Sequence, residues 1–484
     1  MQKIKSFLFE NRTTRQTVVK NTFWLFSGEI IGRLLRTLLI IYAARILGTE
    51  GWGIFSYTLS LVAIFMTFAD VGLSTLVTRE ASRDDLEKDK YLSTAFYSKL
   101  FLLISSFLIV IVFAPLVSTI ATAKQLIPIV ALLTFFDSLR DFLLALNRAT
   151  QKMEREGFIK IITNALIVGF GFYFLIFAPS PKNFALAYFL GSAIGTIWFI
   201  FIIFPLFKKL WFGFAKEKIK IIWESAWPIA ITGLFGGIML NVDTVMLGWW
   251  RGASDIGLYA AAQRLIQLLY MIPWLLTLTL FPLFSRYAST DRSKFTALMQ
   301  KSITVIFWVG LPMILGGIAL NKEIISIIFG ANYIGAALTF AILLVTVLVV
   351  FPNNILTIAA YALDAQKIFI LPVFLGLSLN VILNLFLIPR YGIEGAAATT
   401  IFSQLIIVGL NWFKFKKINS FSVWPLLPKI ILASLAMVAA TILLRSFGLN
   451  TWLNIIISGG FYFIVLYLLK DQTFKEIREI ILLK

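Results

Sequence analysis

The residues best placed for chemistry in this chain are charged groups set inside long apolar runs. Glu29, Arg33 and Arg36 follow at i, i+4 and i+7, which puts all three on one face of a helix. Asp137, Arg140 and Asp141 repeat the pattern at i, i+3 and i+4, and Gln263, Arg264 and Gln267 form a third group. Arginine suits the recognition of phosphate-type anions, because its planar fork of donors grips two oxygens and it does not lose its proton. Arg33, Arg36, Arg140 and Arg264 are therefore candidates for a cationic cavity that receives an anion. A second reading stays open, in which Glu29 with Arg33, and Asp137 with Arg140 and Asp141, are neutralising pairs that lock helices together. Arg36 and Arg264 have no acidic neighbour one turn away and favour the cavity.

The carboxylates Glu29, Asp70, Asp137, Asp141 and Asp243 are candidates for ion coupling by proton or Na⁺, or for pairing. Asp70, in an Asp-x-Gly-Leu context, reads as a helix-end feature. Asp243 follows Asn241 near a span end and reads as solvated. The chain contains no Cys and no His. Disulfides, thiol nucleophiles, the usual zinc sites and imidazole acid–base chemistry are thereby excluded, and no metal or cofactor is expected. Proton chemistry falls to Asp, Glu, Lys or Tyr.

These groups need a scaffold that tolerates charge in an apolar setting. With 59% hydrophobic residues, 14% charged and a mean hydropathy of +0.90 over 484 residues, the apolar surface exceeds what one soluble core encloses. The solvent must be lipid. Apolar stretches of roughly twenty residues predict an all-α integral membrane fold of about fourteen spans, at 21–44, 53–77, 93–117, 126–147, 158–178, 183–206, 225–247, 257–284, 298–320, 334–360, 368–388, 394–413, 423–444 and 452–469. Short polar turns separate them, among them Pro179-Ser180-Pro181 and Arg390-Tyr391-Gly392.

The formal charge of +19 is a matter of topology, not of nucleic acid. Thirty-two of the 43 Lys and Arg fall on the N-terminal side of the spans or in the span ends that face it; seven fall on the other, one to a loop, and four, Arg33, Arg36, Arg140 and Arg264, lie deeper within spans. The positive-inside rule then places the N-terminus in the cytoplasm, and an even number of spans returns the C-terminus there. Residues 1–20 carry Lys3, Lys5, Arg12, Arg15 and Lys20 without a long apolar run, and read as a cytoplasmic lead-in rather than a cleavable signal. The basic loops face anionic headgroups.

A weak repeat organises the spans. Gly53-Ile54-Phe55-Ser56 opens the second span and Gly257-Leu258-Tyr259-Ala260 the eighth, an offset of 204. Lys208 and Lys416, just after the sixth and twelfth spans, are offset by 208. The expected division is 21–210 and 211–418 as two six-helix lobes, with 419–484 holding a C-terminal helix pair and tail. Gly28 and Gly32 form a small-xxx-small pair that lets a neighbouring helix approach. Pro273 and Pro312, deep in their spans, are the expected kinks.

Several local patterns run in order through the chain. Leu47-Gly48-Thr49-Glu50-Gly51-Trp52-Gly53 comes first, then Asp70-Val71-Gly72-Leu73 and Arg79-Glu80. Phe329-Gly330 with Tyr333 and Ala336-Ala337 follow, then Ala362, Lys367, and Asn380 with Asn384. Ile388-Pro389, Gly392 and Gly395-Ala396-Ala397 close the series. Together they resemble the oligosaccharide flippases of the polysaccharide-biosynthesis family, in the MOP exporter superfamily, relatives of the MATE exporters and the lipid II flippase. Trp52 stands where that family often has Tyr or Phe, and Thr49 where Pro is common.

The resemblance implies two helical lobes around a central cavity, opening alternately to each side of the plasma membrane. It implies a non-enzymatic transporter that moves a polyprenyl-pyrophosphate-linked oligosaccharide outward for cell-surface polysaccharide biosynthesis. Its partners would be that lipid-linked oligosaccharide, membrane lipids and pathway enzymes such as a glycan polymerase. The four arginines would then receive the pyrophosphate, and Gln263, Gln267, Asn353, Asn354, Asn380 and Asn384 the sugar hydroxyls. Interhelical amide glue worth about 1–2 kcal/mol each is the plainer role for those amides. A proton- or Na⁺-coupled MATE-like exporter of small organic molecules is the alternative; a cation site would want an acidic cavity. A membrane-embedded polymerase or ligase would want a long extramembrane loop with acidic or His residues, and no loop here is long enough.

Overall fold

The computed structural model describes residues 14–80, 88–148, 152–211 and 213–471; most of the basic lead-in 1–20 thus lies outside the described residues. Among the described residues every regular element is helical. In chain order these are α1 (Thr14–Met66), α2 (Leu73–Glu80), α3 (Lys88–Val117), α4 (Ala121–Arg148), α5 (Met153–Phe177), α6 (Pro181–Ile202), α7 (Phe204–Leu210) and α8 (Lys218–Trp250). Then follow α9 (Ala253–Leu269), α10 (Met271–Thr290), α11 (Arg292–Ala319), α12 (Asn321–Phe329), α13 (Ala337–Ala362), α14 (Ile370–Ile418), α15 (Pro428–Ser446) and α16 (Thr451–Leu468).

Two helices are too long to cross a bilayer once. α1 has 53 residues and α14 has 49, or about 70–80 Å at 1.5 Å per residue, against a hydrocarbon core of about 30 Å. Each is broken by a glycine. Gly48 has φ 67° and Gly392 φ 58°, a left-handed backbone that glycine adopts without the Cβ clash other residues suffer. α1 therefore has arms 14–47 and 49–66, and α14 arms 370–391 and 393–418. Eight helices, or up to nine if a bent pair is taken as one span, are long and apolar enough to cross a membrane among the described residues, with Gln366–Ile418 taken as one. The chain is an all-helical, multi-pass membrane protein.

Some predicted spans end differently. The stretch 53–77 stops at Met66; a 3₁₀ turn (Thr67–Ala69) and positive φ at Val71 (29°) and Gly72 (79°) start the chain afresh into α2. The stretch 257–284 breaks at Tyr270, between α9 and α10 and just ahead of Pro273, because proline has no N–H for the Leu269 carbonyl four residues back and its ring crowds that group. α11 stays continuous through Pro312. Polar caps close other ends: Ser180 Oγ accepts from Asn183 N at 3.2 Å ahead of α6, and Asp291 accepts from Ser293 N and Lys294 N at 3.0 Å ahead of α11. The Lys294 N–H bond holds the Asp291 carboxyl below its usual range.

The chain divides into two compact units, Met1–Gly257 and Leu258–Lys484. In unit 1, α5 packs against α1 and α6, α4 against α6 and α3, and α8 against α1. The two glycines that mark the sequence repeat meet there: a Cβ on Gly53 would lie 2.8 Å from the backbone N of Gly257. In unit 2, α13 packs against α10, α11 and α14, while α15 pairs with α16 and rests on α11. Tyr462 Oη donates to the Trp308 carbonyl at 2.8 Å, and Arg445 pairs with Glu323 at 2.6 Å, tying α15 and α16 to α11 and α12.

Candidate functional site

The charged site of unit 1 is built on the close approach of α1 and α5. A Cβ on Gly28 would lie 2.7 Å from Gly157 Cα, and one on Gly32 would lie 2.6 Å from Asn164 Nδ2. Only hydrogen at both positions lets the polar faces of the two helices meet. Along that seam Arg33 Nε donates to Glu29 Oε1 at 2.5 Å, and Lys160 Nζ bridges Glu29 (3.2 Å) and Glu156 (3.0 Å). Arg148, at the end of α4, holds the fully buried Glu156 through two bonds of 3.0 and 2.8 Å. Lys20 pairs with Glu154 at 2.9 Å.

One turn further along α1, the partners change. Arg36 Nε donates to Asn164 Oδ1 at 3.0 Å, and its guanidinium lies 5.6 Å from the centre of the Tyr188 ring on α6. Asn164 is oriented by its own Nδ2 bond of 2.7 Å to the Lys160 carbonyl. Arg36 is thus held by neutral groups, a side-chain amide and an aromatic face, and it lies within electrostatic reach of Asp137.

The α4 cluster is closed more tightly. Arg140 is 8% exposed; its guanidinium meets Asp137 at 2.7 Å and Ser192 Oγ at 3.2 Å, and Ser192 Oγ donates to Asp137 at 2.5 Å. Asp141 stands 3.8 Å from Arg140 and is largely exposed. Here the geometry is that of a neutralising pair, the second of the two readings of these residues. The Glu29–Arg33 geometry is of the same kind.

Asp70 finds a partner that the spacing in sequence did not reveal. Lys99, buried on α3, bonds Asp70 Oδ1 at 2.9 Å and Ser138 Oγ at 2.8 Å, and Ser74 Oγ also donates to Asp70 at 2.6 Å. Lys99 and Lys160, close to the N-terminal side in a linear reading, lie inside helices and are ion-paired. The Glu156–Arg148 pairing spans a helix junction, beyond the reach of spacing along one helix. Asp243, expected to be solvated, is buried at 2% exposure.

Unit 2 contains Arg264, whose Nη1 donates to Gln267 Oε1 at 3.0 Å, with Gln263 half-buried beside it. Its interior is made of amides and hydroxyls. Asn384 Nδ2 donates to Asn380 Oδ1 at 3.1 Å, both fully buried, and Asn411 Nδ2 donates to Asn353 Oδ1 at 3.0 Å. Asn354 turns back to the Val350 carbonyl at 2.9 Å, and Tyr270 and Thr346 share a 2.7 Å hydroxyl bond. A cavity of about 380 Å³ opens between α9, α11, α13, α15 and α16, walled by Leu265, Pro312, Leu344, Met437, Ile455 and Gly459. No group of three or more metal-ligating side chains occurs among the described residues.

The described residues thus form an all-helical, multi-pass membrane fold with paired charges buried in one unit and an apolar cavity in the other. The polysaccharide biosynthesis protein family model matches residues 18–288, more than half of the sequence, and the chain belongs to that family. The MatE model matches 228–389. The probable low-salt glycan biosynthesis flippase Agl15 of Haloferax volcanii is 22% identical over 474 residues, covering 96% of this chain and 97% of that one. A putative O-antigen transporter of Shigella flexneri is 27% identical over 398 residues, 79% and 93% of the two chains. Among solved structures, the lipid II flippase MurJ in an inward closed conformation aligns with a TM-score of 0.75 at 19% identity, over 96% of this chain and 100% of that one.

Proposed function

We propose that this protein flips a polyprenyl-pyrophosphate-linked oligosaccharide from the cytoplasmic to the outer leaflet, exposing the bound headgroup to each side in turn. The observation that carries the reading is Arg36. Arg33, Lys99, Arg140, Arg148 and Lys160 each face a carboxylate, whereas Arg36 is held by an amide and a ring. A guanidinium held by neutral groups keeps its charge available to a ligand, and pyrophosphate fits a forked donor. Arg264 contributes in unit 2. The apolar cavity there suits the polyprenyl chain.

The breaks at Gly48 and Gly392 support fourteen spans, since each divides a long helix into two crossings. With the charge asymmetry, both termini are cytoplasmic and the membrane is the plasma membrane. The repeat organises the spans as six, six and two, with pathway enzymes of glycan assembly as partners. The protein is a transporter and not an enzyme. A MATE-like exporter of organic cations shares the fold, but the inner carboxylates Glu29, Asp70, Asp137 and Glu156 each already hold a cation.

The test is leaflet exchange in proteoliposomes of a fluorescent polyprenyl-pyrophosphate N-acetylhexosamine, read by loss of outer-leaflet signal to a membrane-impermeant quencher. Protein-dependent exchange is expected. Efflux of ethidium with no exchange of the glycolipid would reverse the assignment in favour of the exporter.

A further inference from the structure

The face that α5 turns to α1 carries polar residues at every fourth position: Glu156, Lys160 and Asn164. The first two steps are ionic. Glu156 holds Arg148 and Lys160, Lys160 also holds Glu29, and Glu29 holds Arg33. At the third step, where a carboxylate would extend this ladder to the next arginine of α1, α5 carries an amide. Arg36 Nε meets Asn164 Oδ1 there at 3.0 Å.

The place suits an amide on both of its sides. Asn164 accepts from Arg36 through Oδ1 and donates through Nδ2 to the Lys160 carbonyl at 2.7 Å. A carboxylate has no proton for that carbonyl. Gly32 leaves room for the same group, since a Cβ on this buried glycine would lie 2.6 Å from Nδ2. With Nε engaged and the Tyr188 ring 5.6 Å away, the half-buried Arg36 has no ion-pair partner among the described residues. Asp137, within its electrostatic reach, already receives Arg140 and Ser192.

We propose that Asn164 is a positioning residue that sets the specificity of this face: it aims Arg36 and, being neutral, leaves the guanidinium charge to an anionic headgroup. The inference rests on the headgroup reading above and deepens it. Asn164 acts through Arg36. An Asp in its place would turn the same contact into an ion pair and cancel the charge that the headgroup uses. One amide thus separates an anion-binding face from a neutralised one.

The test is calorimetry with geranyl pyrophosphate on the full-length protein in detergent, with Tm measured for every variant. Asn164→Asp should lose about tenfold or more in affinity, the effect of one charge-assisted contact. Its affinity should also fall less steeply with salt than that of wild type, because one cation fewer serves the ligand. A loss of packing alone leaves that slope unchanged. Gly32→Ala displaces the amide without altering any charge; it should lose about threefold and keep the wild-type salt dependence. In the Arg36→Ala background, Asn164→Asp should cost less than about twofold.

Wild-type affinity in Asn164→Asp, with Arg36→Ala weakened, overturns the role of Asn164 and leaves the headgroup reading standing. An equal loss from Asn164→Asp with and without Arg36 does the same. Should Asn164→Asp fail to fold, Gly32→Ala decides, and unchanged affinity there overturns the proposal. If geranyl pyrophosphate binds wild type and Arg36→Ala alike, or binds neither, the headgroup reading itself fails and takes this inference with it.

Discussion

The two units answer the same problem, polar groups inside a membrane protein, with different chemistry. Unit 1 uses full charges in opposed pairs: Arg148 and Lys160 around Glu156, Arg140 on Asp137, Lys99 on Asp70. Unit 2 uses neutral amides and hydroxyls, Asn380 with Asn384, Asn353 with Asn411, and Tyr270 with Thr346. Its described ion pairs, Arg445–Glu323 and Lys294–Asp291, sit at helix ends. A charge deprived of its partner in low dielectric keeps its desolvation penalty, whereas an amide loses one modest bond. Among the described residues, unit 1 thus carries its buried polar groups mainly as opposed full charges, and unit 2 mainly as amides and hydroxyls.

The sharpest way to break this contrast is to remove shared partners. Glu156→Leu leaves Arg148 and Lys160 without their common carboxylate and should cost about 3–5 kcal/mol, read as a large fall in Tm in detergent. Gly28→Leu comes next: its side chain would enter the Gly157 backbone, and overpacking should cost about 1–3 kcal/mol by the same assay. The double change Asn380→Leu/Asn384→Leu in unit 2 should cost about 1–2 kcal/mol at most. If it destabilises as much as Glu156→Leu, the two interiors are not different in kind.

Much of the fold was legible because it follows from period and solvent. Apolar runs marked the helices, and Gly392, read as part of a turn, breaks α14 in two. Helical spacing found Glu29–Arg33 and Asp137–Arg140, since both partners lie on one helix. It could not find Asp70–Lys99, 29 residues apart on different elements, or Arg36–Asn164, 128 apart. Lysines near span ends also resemble loop charges in a linear count, which hid Lys99 and Lys160. The signal that pointed to Asn164 was the small residue opposite it: Gly32 marks where a second helix comes close, without saying which one.

The central proposal is that Arg36, held by an amide and an aromatic ring, binds the headgroup together with Arg264, while the carboxylate-paired Arg33 holds helices together. The most direct measurement compares leaflet exchange of the fluorescent glycolipid by wild type, Arg36→Ala, Arg264→Ala and Arg33→Ala, at matched protein and matched Tm. Arg36→Ala and Arg264→Ala should each lose about tenfold or more of the rate, the loss of one charge-assisted contact of about 1.5–3 kcal/mol. Arg33→Ala should stay near the wild-type rate. Unchanged exchange in Arg36→Ala and Arg264→Ala would contradict the account.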